Sequence, residues 1–194
     1  MPAAERLSRD YFARNTVQVA RELLGTRLVR LEGSQRVGGM IVETEAYRGE
    51  EDQACHARAG RTARTQVMYE QPGHAYVYFT YGMHWMLNFV TESAGYPAAV
   101  LIRAILPEEG ISLIEARRNS ISPAHWTDGP AKLCQALRID GKQQGVDLCD
   151  PRSEILVEVG MEIPDSHVAI SPRVGLSTVP EPWKSMPWRF RLID

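Results

Sequence analysis

HAYVYFTYGMHWMLNFVTESAGYPAAVLIRAI, residues 74–105, decides the fold. Three apolar and aromatic runs, 74–81, 83–92 and 98–105, are separated by one glycine and by AGYP. Parallel strands need a crossover of about a dozen residues or more, so connections this short make the stretch an antiparallel meander. In the first run, alternation sends Tyr76, Tyr78 and Thr80 to one face and Val77, Phe79 and Tyr81 to the other, until Gly82 allows a turn.

On the N-terminal side, TRLVRL (26–31) and VGGMIVETEAY (37–47) read as a strand pair joined through EGS. Before them, TVQVARELLG (16–25) has helical spacing, with Asn15 or Thr16 as the cap and Gly25 at the stop. On the C-terminal side, EEGISLIEARRN (108–119) and AKLCQALRI (131–139) have helical spacing, while EILVEV, HVAISPRVGL and WRFRLID supply late strands. The expected class is α+β: one domain over residues 1–194, a mostly antiparallel, curved β-sheet surrounded by helices.

Composition excludes several function classes. The 44% apolar content can fill a core, and no run approaches the roughly 18 apolar residues of a membrane span. Three cysteines, Cys55, Cys134 and Cys149, without CxxC spacing, and an N-terminus without an apolar segment of signal-peptide type, point to a cytoplasmic protein. The net charge of −2 argues against a partner bound by bulk positive charge. Yet 19 of the 22 basic residues are arginine, which makes bidentate contacts to phosphate, so a local arginine face could bind nucleic acid.

The segment VETEAYRGEEDQACHARAGR (42–61) changes sign along its length: Glu43, Glu45, Glu50, Glu51 and Asp52 come first, then His56, Arg58, Arg61 and, just beyond, Arg64. Strand period places Glu43, Glu45 and Tyr47 on one face, where a carboxylate could act as a general base on water; a solvated sheet edge is the commoner reason for such a pair. The aromatic run could likewise be packing, or a stacking surface for bases. No metal is expected, because neither HExxH nor a similar spacing accompanies His56; the absence of GxSxG leaves a Ser or Cys nucleophile without a signature, and with no phosphate-binding glycine loop no cofactor is implied.

Taken together, VETEAY, His56 with the arginine-rich loop, YVYFTYGMH with Asn88, the strand bearing Arg103, and DGPAKLCQALRI (128–139) occur in the order of the alkyladenine (3-methyladenine, or N-methylpurine) DNA glycosylase family. The resemblance runs from ARELLG (20–25) through PRVGL (172–176) and PWRFRL (187–192). It implies an enzyme that flips a damaged purine out of double-stranded DNA, cuts its bond to deoxyribose and leaves an abasic site. In those terms Glu45 would deprotonate the attacking water and Arg103 orient it. Tyr47, His56 and Tyr78 would wall the base pocket, Asn88 would clash with the 2-amino group of guanine, and Tyr81 would fill the hole left in the duplex. Acids early in 42–61 would serve the sugar; Arg58, Arg61 and Arg64 would contact the DNA backbone. The resemblance also implies a monomer.

None of the three lysines, Lys132, Lys142 and Lys184, lies in ETEAY or YVYFTYG, so the reading is a monofunctional, water-using mechanism rather than an amine nucleophile. Thr65 stands after Arg64 where family members commonly carry asparagine. The competing readings are a catalytically silent damage-binding module and a metal-dependent hydrolase using Glu45, His56 and His84.

Overall fold

The computed structural model describes residues 5–193; residues 1–4 and 194, the ends of the expected domain, lie outside the described residues. Eight strands form one antiparallel sheet: β1 (Arg27–Glu32), β2 (Gln35–Arg48), β3 (Ala75–Thr80), β4 (His84–Val90), β5 (Ala98–Glu109), β6 (Ile155–Glu158), β7 (Val168–Ser171) and β8 (Arg189–Leu192). The order is β3-β4-β5-β2-β1-β6, with β8 joined to β2 and β7 to β8. The meander over 74–105 is present as β3, β4 and β5, in the order that its short connections require. The fold is α+β.

Strand β2 organises the sheet. Its first half pairs with β1, its Glu43–Glu45 stretch with β8, and its other edge with β5 along nearly the whole length. Backbones approach closely here: a Cβ on Gly39 would stand 1.9 Å from the Leu106 carbonyl oxygen, so only glycine fits. The β2–β5 register shifts between Ile41 and Glu43 and again between Glu43 and Thr44, which leaves Val42 on one strand and Arg103 on the other without an opposite partner. Such bulges re-aim side chains, and these two flank Glu43 and Arg103.

Four short helices cover the sheet: α1 (Arg9–Phe12), α2 (Thr16–Glu22), α3 (Ile111–Arg117) and α4 (Pro130–Ala136). Asn15 caps α2, its side-chain oxygen accepting from the amides of Val17 and Gln18. Helix α2 packs on β2 and β5, α4 on β4 and β5, around a core that includes Phe12, Leu23, Leu28, Ile41, Phe89 and Leu133. Fully burying each such side chain contributes about 1.5–3 kcal/mol. Among the described residues no helix is long and apolar enough to cross a membrane.

Three boundaries differ from the sequence reading. Glu108 and Glu109 finish β5 rather than opening a helix, because Glu109 is tied to Arg27 and Arg36 and Gly110, at φ 67°, breaks the path before α3. Helix α4 stops at Ala136, with Arg138 at φ 52°. The run HVAISPRVGL is a strand only to Ser171: Pro172 cannot donate to the ladder, and the chain leaves the sheet there. Helix α1 was not legible from periodicity, being a single turn.

Candidate active site

A second, smaller core cluster, Cys55, Ala57, Met68, Tyr76, Val90 and Ala99, packs Tyr47 and Tyr78 against it and backs a cavity of about 310 Å³. This lies at the small end of ligand sites, about 300–1,000 Å³. Seven of the expected residues line it together: Glu45, Tyr47, His56, Tyr78, Tyr81, Asn88 and Arg103. Strand period explains the convergence on β2. Ala46 faces the main core and the Thr44 hydroxyl donates to the Ala20 carbonyl, so Glu45 and Tyr47 turn the opposite way, toward the smaller cluster and the cavity.

Glu45 has no exposed surface, and both of its oxygens are held. Oε2 accepts from the Tyr47 hydroxyl at 2.7 Å and Oε1 from the Val174 amide at 2.7 Å. Burial, then the neighbouring carboxylate, push the Tyr47 phenol well above its ordinary value, so it stays a donor. Arg103 bridges the two glutamates of this face: Nε donates to Glu43 at 2.6 Å, and NH1 stands 3.3 Å from Glu45 Oε1. Arg189 on β8 donates to the same Glu43 oxygen at 2.7 Å.

On the facing wall, His56 sits in a 3-10 turn, its Nδ1 2.9 Å from the Tyr76 hydroxyl and its ring edge-on to Tyr78 at 4.5 Å. Burial, with the cations of Arg64 and Arg58, pushes the imidazole down to about 4, so it is neutral at neutral pH. Asn88 is buried and fixed, its amide donating to the Tyr76 carbonyl at 3.0 Å. Burial also pushes the thiols of Cys55 and Cys134 up to about 12, which leaves neither as a nucleophile. Among the described residues no group of three His, Cys, Asp or Glu side chains could hold a metal ion.

Tyr81 corrects the alternation argument. It lies not with Val77 and Phe79 but on the cavity rim, because Tyr81 and Gly82 have φ of 52° and 68° in the turn between β3 and β4. Two consecutive positive φ values are what a tight hairpin turn of the favoured hand requires. The ring is 85% exposed at the tip.

The acids of 42–61 divide up differently from the expectation. Glu45 lines the cavity with Glu43 behind it, whereas Glu50 and Glu51 accept from the hydroxyls of Tyr69 and Tyr96, and Asp52 is buried against Arg173. Arg58, Arg61 and Arg64 are exposed and outside the lining, and none has a carboxylate within ion-pair distance among the described residues. Arg61 and Arg64 lie over the rings of Tyr69 and Tyr78, at 5.6 and 4.9 Å from the centroids. Thr65 knits this loop internally: its hydroxyl donates to the Gly60 carbonyl and accepts from the Thr62 amide.

A family model for methylpurine-DNA glycosylase matches residues 10–194. This chain belongs to that family. Curated relatives named as candidate 3-methyladenine DNA glycosylases agree over nearly the whole length. The protein of Methanocella arvoryzae is 48% identical over 185 residues, 95% of this chain and 90% of the relative. That of Desulfitobacterium hafniense is 43% identical over 98% of this chain and 96% of its own, and that of Myxococcus xanthus 44% over 97% and 90%.

Four residues around the cavity of this methylpurine-DNA glycosylase family member escaped the sequence reading: Asp52, Arg173, Val174 and Arg189. Asp52 was one charge in an acidic run, and PRVGL read as strand. The available signal was Pro172, which a strand interior does not tolerate.

Proposed function

We propose that this protein is a monofunctional DNA glycosylase that flips alkylated or deaminated purines of the 3-methyladenine, hypoxanthine and ethenoadenine type out of double-stranded DNA. It excises them by water attack at C1′. The observation that carries the reading is Glu45, the one carboxylate among the described lining residues, held from both oxygens at the floor of an aromatic-walled cavity. A carboxylate oxygen accepts two hydrogen bonds, so the bonds from Val174 and Tyr47 leave capacity for a water.

Glycosidic cleavage builds positive charge on the sugar, which a fixed, buried carboxylate stabilises while it takes the proton from water. Arg103 keeps the carboxylate and the water in line. Tyr47, His56 and Tyr78 enclose the base, and Asn88 excludes guanine by meeting its 2-amino group. Tyr81, at the tip of a stiff hairpin, fills the vacated stack and offsets the few kcal/mol that extrusion costs. Arg58, Arg61 and Arg64 hold the phosphate backbone. Among the described residues no lysine lines the cavity, in keeping with water rather than an amine as the nucleophile.

Excision is tested on duplexes carrying one hypoxanthine or ethenoadenine and on methylated bulk DNA. Wild type releases the base, and Glu45→Gln loses roughly 10²–10⁴ in rate while still binding the lesion. If neither protein excises from any substrate, yet both bind lesions tightly, the enzyme reading gives way to a damage-binding module.

A further inference from the structure

Behind the cavity wall, Arg173 and Asp52 form an ion pair whose side chains have no exposed surface. The two residues are 121 positions apart. The guanidinium donates to Asp52 Oδ2 at 2.5 Å and Oδ1 at 3.0 Å, and to the carbonyls of Ala46 and Trp183 at 2.9 and 3.1 Å. Its Cζ lies over two rings, 4.7 Å from the centroid of Tyr47 and 5.0 Å from that of Trp188. Asp52 in turn accepts from the Ala54 amide at 2.9 Å, at the start of the segment that delivers His56.

Both direct hydrogen-bond donors to Glu45 depend on this unit. Val174, whose amide meets Oε1, is the next residue after Arg173 and has left the sheet, so no ladder hydrogen bond sets its position. Tyr47, whose hydroxyl meets Oε2, has its ring against the Arg173 guanidinium. We propose that Arg173, locked by Asp52, is the positioning residue that sets the orientation of the Glu45 carboxylate, acting through the Val174 amide on one oxygen and the Tyr47 phenol on the other. The inference rests on Glu45 serving as the base.

The chemistry selects arginine for this place. A planar guanidinium can satisfy two carboxylate oxygens and two carbonyls in its plane while stacking on its faces, whereas a lysine ammonium is a point charge that can do neither in that geometry. Stability alone does not account for the pair, since well-packed apolar residues often serve a core as well as a buried ion pair does. A reacting group does need holding to within a fraction of an ångström by residues that are themselves locked.

The test compares Arg173→Lys, Asp52→Asn and Glu45→Gln with wild type. Single-turnover excision from a hypoxanthine duplex is measured per lesion-binding molecule, beside the lesion-duplex Kd. Arg173→Lys slows excision roughly ten- to a hundredfold, with Kd held within about threefold, because misplacing a reacting group costs rate rather than binding. Asp52→Asn, nearly isosteric, slows it in the same direction, and serves alone if Arg173→Lys does not fold. Adding Tyr47→Phe to Arg173→Lys slows excision less than the product of the single effects, since they share one route to Glu45.

A rate per binding-competent molecule within about twofold of wild type, or rate and lesion affinity lost in parallel, overturns the inference. Should Glu45→Gln excise at the wild-type rate, the base assignment fails instead, and the two failures are told apart by that variant.

Discussion

Arg103 donates to Glu43 at 2.6 Å from a residue that the β2–β5 register leaves without an opposite partner. From this position at the bulge, one side chain reaches both Glu43 and Glu45. Glu43 is therefore not a solvated edge charge but the anchor for the cation nearest Glu45.

Replacing Glu43 by glutamine should loosen Arg103 without emptying the cavity. Excision in single turnover is expected to fall about tenfold, with lesion-duplex affinity nearly unchanged, as expected for an interaction that matters chiefly in the transition state. Arg103→Ala leaves Glu45 buried without its cation and should also lower stability by roughly 3–5 kcal/mol in urea unfolding. Unchanged kinetics in Glu43→Gln would sink the anchoring role.

The turn at Tyr81 stores strain, because a side chain at φ 52° crowds its own backbone. The ring is mostly exposed, so Tyr81→Gly removes strain while giving up little packing. Stability should stay level or rise by up to about 1 kcal/mol in thermal melts, after the added chain entropy of glycine is allowed for. Excision from duplex DNA should nevertheless drop. A lower melting temperature together with full excision would contradict both halves.

His56 makes stability depend on pH. Its folded value, about 4, lies below the ordinary 6.5, so between these the unfolded chain binds more protons and stability rises with pH. Acidification from about pH 6.5 to 4 should cost roughly 2–3 kcal/mol at this one residue. Denaturant unfolding of His56→Gln should be flatter across that window than wild type. A wild-type minus variant difference that does not vary with pH refutes it.

The arginine loop predicts a salt response. Each phosphate contact contributes about 0.9 to the slope of log affinity against log salt, so removing Arg58, Arg61 or Arg64 singly should make the slope shallower by about 1. Fluorescence anisotropy of an undamaged duplex between low and moderate salt measures it. Slopes identical to wild type in all three variants would move the DNA backbone elsewhere.

Much of the site was legible along the chain because its parts are local. Period two puts Glu45 and Tyr47 on one face of β2, and the lone glycine after Tyr81 marks the hairpin tip. Asn88 and Tyr78 are singled out by the resemblance alone; the meander that the short connections dictate is what carries them to the cavity. What alternation could not read was Tyr81 itself, since a positive φ breaks the pleat on which the rule depends.

The amino-acid sequence by itself determined the strand set, their antiparallel order in the meander and the family to which the chain is similar, since these follow from short-range pattern and motif order. Only the tertiary structure decided which acid does what. Glu50, Glu51 and Asp52 are adjacent and alike, yet two meet surface phenols and one meets Arg173, 121 residues away from it. A charge carries no periodicity that names its partner. Burial and the packing of distant segments select it, when the chain turns out of the sheet at Pro172 and brings Arg173 and Val174 behind Glu45.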